Sequence, residues 1–279
     1  MGVGSAMTGV VIEALSAAGL SENVALSNGV GWPDNEAEWQ VIYDAALVFG
    51  ARRGSELIGQ GALGLFEGAG AIAKMVVAPS AQRQGIGAAI LDRLLLEAEQ
   101  RELGAVGLVA TPFGKPLYES RGFVATGDVV ISVGTPRIDA PTAGELETAV
   151  VQNPEQILQV ERRFMTGSRE AVLRGRLRHS CATAHCAGGF ALATWHEKGT
   201  RVAPIIAEDE ATARSLAQAI FRAVPGPMRI DVPGEQIAFR NWLTDLGLAE
   251  KGVHTEMARG GALPWHVPAR FGLATQAWG

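Results

Sequence analysis

The chain has 279 residues, with 24 Lys/Arg against 29 Asp/Glu and a net charge of −5, and is 47% hydrophobic and 19% charged. That is apolar mass enough for ordinary cores, which excludes an intrinsically disordered chain, and the length is long for one domain but comfortable for two. The acidic balance, without any Lys/Arg-rich block, excludes nucleic acid and an anionic membrane as first readings of the partner.

Two cysteines, Cys181 and Cys186, are too few for a disulfide framework and suit a reducing cytoplasm. The opening MGVGSAMTGV lacks the basic and apolar regions of a signal peptide, and Ala6 stands where myristoylation wants Ser or Thr. No window approaches the roughly eighteen apolar residues that span a bilayer. The expectation is a cytoplasmic protein that does not engage membranes.

In chain order, Val10 to Ala14 reads as a short strand and Ala14 to Ser21 as a helical piece. Gly31-Trp32-Pro33 is a turn, after which Asp34 or Asn35 caps a helix through Trp39, Val41 and Tyr43. Ala46 to Ala51 is a strand, Arg52 to Ser55 a hairpin turn, Leu57 to Phe66 a second strand and Ala71 to Val77 a third. Beyond Gly87, the spacing of Ile90, Leu91, Leu94, Leu95 and Ala98 predicts a helix with Asp92, Arg93, Glu97 and Glu99 outside. Ala105 to Ala110 is a strand, a short helix carries Leu117 and Tyr118, Gly122 stops it, and a closing strand starts at Phe123. Thr135 to Pro141 reads as a linker.

The stretch from Lys74 to Phe123 organises the first half: strand, tight loop Gln82-Arg83-Gln84-Gly85-Ile86-Gly87, helix, strand. That order makes an anion cradle, because loop and first-turn amides have no intrahelical partner and point at whatever docks there. Two glycines allow positive φ and the approach of a phosphate that a Cβ would block. With about half a positive charge at the helix start and roughly 1.5–3 kcal/mol for each hydrogen bond to a charged oxygen, main chain alone could hold a diphosphate.

Val77-Ala78-Pro79, the Gln-x-x-Gly-x-Gly of Gln82, Gly85 and Gly87, and the downstream Leu117-Tyr118-Glu119-Ser120-Arg121-Gly122-Phe123 together resemble the GNAT acetyltransferases. The resemblance implies acetyl-CoA as co-substrate. Its diphosphate would lie on Gln82, Arg83, Gln84, Gly85, Ile86, Gly87 and Ala88, its pantetheine along the main chain of Met75, Val76 and Val77, with Thr111 at the end of the next strand. Tyr118 would protonate the departing thiolate, and the first helices would roof an acceptor pocket that Trp32 touches, unless Trp32 is only a packing aromatic.

The second half repeats this order: a helical region from Gly144 to about Leu177, strands at 181–184, 189–195 and 200–207, helix 210–224, strand 228–232, helix 236–245 and a closing strand 254–258. Ile205-Ile206-Ala207 answers Val76-Val77-Ala78, and Trp242-Leu243-Thr244-Asp245-Leu246-Gly247-Leu248 answers the tyrosine motif. The copy is worn. Glu208-Asp209-Glu210-Ala211-Thr212-Ala213 stands where the glycine loop should be, with carboxylates that repel phosphates, and Leu243 replaces the tyrosine. The expected fold is therefore mixed α/β (α+β), two tandem GNAT-like domains, each a mixed, mostly antiparallel sheet flanked by helices, with residues 1–135 as acetyltransferase and 136–279 as a degenerate partner or pocket wall.

A phenol near pKa 10 and a thiol near 8.5 are mismatched only modestly, so Tyr118 suits the acid's task; a core Tyr packing on the short helix is its other reading. The base is less visible, since the third strand carries no carboxylate; Glu67, in the turn before it, is the nearest acid. Cys181, His185 and Cys186 do not make a metal site, because positions five apart on a strand face opposite sides and a fourth ligand is missing. The expected activity is direct transfer of acetyl from acetyl-CoA to the primary amine of a small or amino-acid-like acceptor, with a homodimer as the candidate assembly. Two alternatives stay open: a catalytically idle acyl-CoA-binding or sensing protein, and an acetyltransferase for protein N-termini or lysines.

Overall fold

The computed structural model describes residues 9–138 and 154–275; the opening segment 1–8, the end of the expected linker (139–141) and the start of the helical region at Gly144 lie outside the described residues. Val10–Ala14 (β1) leads through a single 3-10 turn to the helices Leu20–Gly29 (α1) and Glu36–Ala45 (α2). Ala46–Arg53 (β2), Glu56–Phe66 (β3) and Ala69–Val77 (β4) form a meander, followed by Ile86–Gln100 (α3), Ala105–Ala110 (β5), Lys115–Glu119 (α4) and Val124–Gly134 (β6). The second half runs Pro154–Phe164 (α5), Glu170–Arg178 (α6), Ser180–Cys186 (β7), Gly189–His196 (β8), Gly199–Ala207 (β9), Glu210–Ala223 (α7), Met228–Pro233 (β10), Ile237–Asp245 (α8), Ala249–Gly260 (β11) and Arg270–Gly272 (β12).

This is the expected mixed α/β architecture, with the same order of elements twice. The halves are not side by side, however. One sheet runs β1-β2-β3-β4-β5-β11-β6-β10-β9-β8-β7, so β6 of the first half and β11 of the second each cross to the other. β11 pairs antiparallel with β5, from Thr255 opposite Ala110 to Gly260 opposite Ala105, and β6 pairs antiparallel with β10. The two exchanged strands meet in the middle, where β11 and β6 pair along almost their whole length.

Several departures from expectation have physical causes. The first helix lies later than its apolar content suggested, because α1 buries polar groups: Asn23 Nδ2 donates to Gln60 Oε1 at 2.9 Å, Gln60 Nε2 donates to Ser27 Oγ at 3.0 Å, and Tyr43 Oη donates to Asn23 Oδ1 at 2.6 Å. A helix whose core side is polar shows no apolar stripe. The cap of α2 is Asn35, whose Oδ1 accepts the Glu38 amide at 2.9 Å. β11 begins well before His254 because its first residues, exposed on both faces, pair only with β6 and need no apolar alternation. β12, three residues long, is too short to show any period.

One core joins the halves: Trp39 and Val41 of α2, Ala62, Phe66 and Ala71 of the meander pack with Leu158, Leu173, Phe190, Ile206 and Trp265. Beside it sits a buried ionic cluster. A bulge sets Lys74 and Met75 opposite the single residue Gly61, with Lys74 at φ 52°. Lys74 Nζ then reaches Asp34 Oδ1 at 2.5 Å and Glu38 Oε2 at 3.7 Å. From the other half, His196 Nε2 lies 3.1 Å and Arg201 Nη1 3.7 Å from Glu38 Oε1. Burial alone would raise the Glu38 carboxyl, but Arg201, His196 and Lys74 outweigh it and hold Glu38 well below the usual range. Removing one member of such a cluster strands the others. Glu38→Ala is expected to destabilise the chain by about 3–5 kcal/mol, read by urea unfolding; a loss within the roughly 0.5 kcal/mol of a surface substitution would mean that the cluster does not couple the halves.

Candidate active site

The loop before α3 is shaped by its own side chains. Gln82 Nε2 donates to Val77 O at 3.2 Å, and Gln84 accepts from Arg53 Nη2 at 2.7 Å while donating to Ser80 O at 3.0 Å. Arg83, at φ 60°, is exposed and has no partner among the described residues. Gly85 precedes the helix at φ 84°, where other residues are strained. No side chain caps α3, and its first main-chain bond is Ala89 N–H to Gly85 O at 3.0 Å. The amides of Ile86, Gly87 and Ala88 are thus left pointing out of the helix end.

The two glycines are there for different reasons. Gly85 is demanded by its backbone. A Cβ on Gly87 would find Leu117 Cδ2 and Val77 Cγ2 both at 3.6 Å, ordinary contact, so nothing in the fold requires glycine there. What a side chain would obstruct is the approach to the helix end. Beside it, β4 and β5 pair in parallel only from Ala69 opposite Ala105 to Ala71 opposite Gly107, and then part. The β4 edge carrying Met75, Val76 and Val77 faces the resulting slot.

Tyr118 stands on α4 within the core under α3, 7% exposed, its ring edge-on to Phe123 at 6.0 Å. Burial pushes its phenol far above the ordinary value, so it stays protonated. Its hydroxyl has no hydrogen-bond partner among the described residues. Thr111 anchors the helix that carries it: its Oγ1 accepts the Gly114 amide at 3.1 Å and its carbonyl accepts those of Gly114 and Lys115 at 3.0 Å. Trp32 lies 36% exposed in the turn between α1 and α2. Glu67 is not brought to the slot. It is exposed in the β3–β4 turn, and the nine residues of β4, roughly 26 Å of strand, separate it from Val77.

In the second half both features are filled by the chain itself. β9 and β10 also pair briefly, Thr200 opposite Met228 and Arg201 opposite Arg229, and then part. The opening is occupied by β12, which pairs with β9 at Ile205 and Ile206, while Leu273 N–H donates to Asp231 O at 2.9 Å. The helix start is capped too: Asp209 Oδ1 accepts the Thr212 amide at 2.8 Å, a carboxylate seated where an anion would dock. Sequence reading noted the carboxylates and missed the plug, because β12 lies outside the repeated order.

Sequence reading also missed a cleft of about 780 Å³ where β6, β11 and the start of α8 meet. Glu256 of β11 lies in its wall, gripped by Arg270 through Nη1 at 2.7 Å and Nη2 at 2.8 Å, with His266 Nε2 at 2.9 Å. Burial opposes the charge on Glu256, but Arg270 and His266 bring its carboxyl down to about 2. No local motif announces these three, since they meet only through the fold. Among the described residues no cluster of metal-ligating side chains occurs, and no helix is long and apolar enough to cross a membrane.

Comparison with known proteins gives the family and the fold. Two family models, each described as an acetyltransferase (GNAT) domain, match residues 33–139 and 157–270, and together they span well over half of the chain. The chain belongs to the GNAT acetyltransferase family, with two such domains in tandem. It is 26% identical over 236 residues to the uncharacterized N-acetyltransferase YitH of Bacillus subtilis (strain 168), covering 80% of this chain and 82% of that one. In structure it resembles a candidate acetyltransferase from Pyrococcus horikoshii, with TM-score 0.84, 19% identity, and 97% and 96% of the two chains covered. It also resembles a tandem GNAT protein of the clavulanic acid biosynthesis pathway, with TM-score 0.68, 13% identity, and 91% and 99% covered.

Two outcomes follow. Gly87→Ala should keep or slightly raise thermal stability, since alanine favours helix by about 0.5–1 kcal/mol, yet weaken acetyl-CoA binding; Gly85→Ala should lose about 1–2 kcal/mol of stability through its φ. Glu256, whose folded value of about 2 lies below the roughly 4.3 of an unfolded glutamate, contributes stability that is complete above about pH 4.5 and lost as pH falls toward 2. In Glu256→Gln that acid-dependent loss should be shallower, as read by unfolding midpoints between those limits; an unchanged slope would mean the carboxyl is not so depressed.

Proposed function

We propose that the chain is an N-acetyltransferase that takes acetyl from acetyl-CoA in its first half and passes it directly to a primary amine of a small acceptor. The observation that carries this reading is the asymmetry between the halves: an open strand edge beside an uncapped helix start in one, the same two features filled by β12 and Asp209 in the other. An extended pantetheine adds to the free edge of β4 as a further strand would, and a diphosphate accepts from the amides of Ile86, Gly87 and Ala88. Met75, Val76 and Val77 supply main chain to the donor, and Gln82 and Gln84 hold the loop in shape for it. Arg83 is free to reach a phosphate.

Tyr118 supplies the proton to the departing sulfur. Its buried hydroxyl remains protonated at any working pH. Held this far above a thiol's pKa, it gives up its proton only as charge builds on the sulfur beside it, which confines the transfer to the collapse of the tetrahedral intermediate. Thr111 acts through α4 by fixing its start.

The reading is tested by thiol release from acetyl-CoA across a panel of monoamines, diamines and amino acids. Tyr118→Phe should lower kcat by about 100-fold or more while acetyl-CoA affinity stays within about twofold. Donor binding without turnover of any amine would turn the reading toward an acyl-CoA-binding protein, and unchanged kcat in Tyr118→Phe would remove the tyrosine from the mechanism.

A further inference from the structure

The exchange of strands places β11 of the worn half against β5, the strand that flanks the open slot. β5 is the strand that parts from β4 after Gly107, and Val109 stands two residues into the parting. Its partner across the next ladder is Glu256 of β11, about one strand spacing of 4.8 Å away. Leu108 and Ala110 of β5 pack, with Met257 of β11, in the core under α3, so Val109 and Glu256 project from the opposite face. On that face Glu256 meets His266 and Arg270, and all three line the central cleft, whose volume lies within the range of small-molecule sites.

We propose that the second half completes the acceptor side of the active site, with His266, oriented by Glu256 and Arg270, as general base toward a cationic primary amine bound in this cleft. This rests on the acetyltransferase reading above. Arg270 is 2% exposed at its side chain and locks the Glu256 carboxylate with two hydrogen bonds. That carboxylate stands 2.9 Å from Nε2 of His266 and orients the ring, and Nδ1, on the ring's other edge, is the nitrogen assigned to accept a proton. Donor and Tyr118 then lie on the α3 side of the sheet, base and acceptor on the other.

The remaining charges of the cleft favour a cation. The groups that face His266 are Glu256 of β11, Arg270 of β12, Asp128 of β6, and Glu235 and Arg240 around the start of α8. Arg240 is taken by Glu250 at 2.7 Å, and Arg270 by Glu256 with Glu235 at 4.0 Å. Asp128 is exposed and has no ion-pair partner among the described residues, so it is the carboxylate left for an ammonium. The acceptor class is an amine carrying a second positive charge and no carboxylate.

The step balances. The ammonium gives one proton to Nδ1 of His266. The free amine attacks the thioester carbon, a C–N bond forms, and the C–S bond breaks with its electron pair on sulfur, which takes the Tyr118 proton. The second proton lost by nitrogen restores the phenol, and His266 discharges its proton to solvent, leaving one amide, one thiol and one proton.

The test uses the full chain with acetyl-CoA and putrescine, ethanolamine and lysine as acceptors. His266→Gln should lower kcat/KM for putrescine by about 100-fold or more, abolish the acidic limb of its pH profile and leave donor affinity within about twofold; His266→Ala should recover part of kcat with added imidazole. Asp128→Asn should raise the putrescine KM about tenfold with kcat retained. Wild-type turnover together with His266→Gln within about threefold of it, limb retained, overturns the proposal while leaving the acetyltransferase reading intact. Loss of activity that imidazole does not restore, with the Asp128→Asn KM unchanged, overturns it as well. A wild-type chain that acetylates no amine brings down the parent reading, and this one with it.

Discussion

The antiparallel pairing of β6 with β11 is the contact on which the rest depends. Each strand sits against a strand of the other half, β6 against β10 and β11 against β5. Without the exchange, β5 and β10 would each end a sheet with unpaired edges and a bare apolar face. With it, the halves share one sheet and one core. The same exchange sets Glu256 across from Val109, on the strand that flanks the slot in the first half.

The two halves show what a repeated scaffold keeps and what it loses. Both retain a parallel strand pair that parts and a helix that starts beside the parting. In the first half, the strand edge and helix amides remain unsatisfied by the chain, a condition that buried or half-buried main chain tolerates only when a partner or water supplies the bonds. In the second, β12 and Asp209 supply them. The filled copy is the more self-sufficient structure, and the open copy leaves its strand edge and helix amides to an outside partner.

Much of this was legible in the sequence. The glycine loop, the strand before it and the LYESRGF motif are contiguous, and contiguous signals survive without a structure: Gly85 has the positive φ the loop demanded, and Tyr118 stands on a short helix as expected. The tandem repeat was visible because the order of elements repeats even where the residues do not. What stayed hidden was non-local or polar. α1 was misplaced because Asn23 and Ser27 are its buried residues. Glu67 looked like the nearest acid because nearness in sequence was counted, whereas the length of β4 separates it from the slot. The Glu38 cluster and the Glu256–His266–Arg270 group draw on elements that meet only after strands have crossed between halves.

The most direct test of the central claim is calorimetric titration of the full chain with acetyl-CoA, with the bound complex then crystallised. One equivalent should bind, its diphosphate on the amides of Ile86, Gly87 and Ala88 and its pantetheine along β4, with β12 still in place between β9 and β10. Two equivalents, or a nucleotide seated at the start of α7 with β12 displaced, would contradict the assignment of open and filled slots.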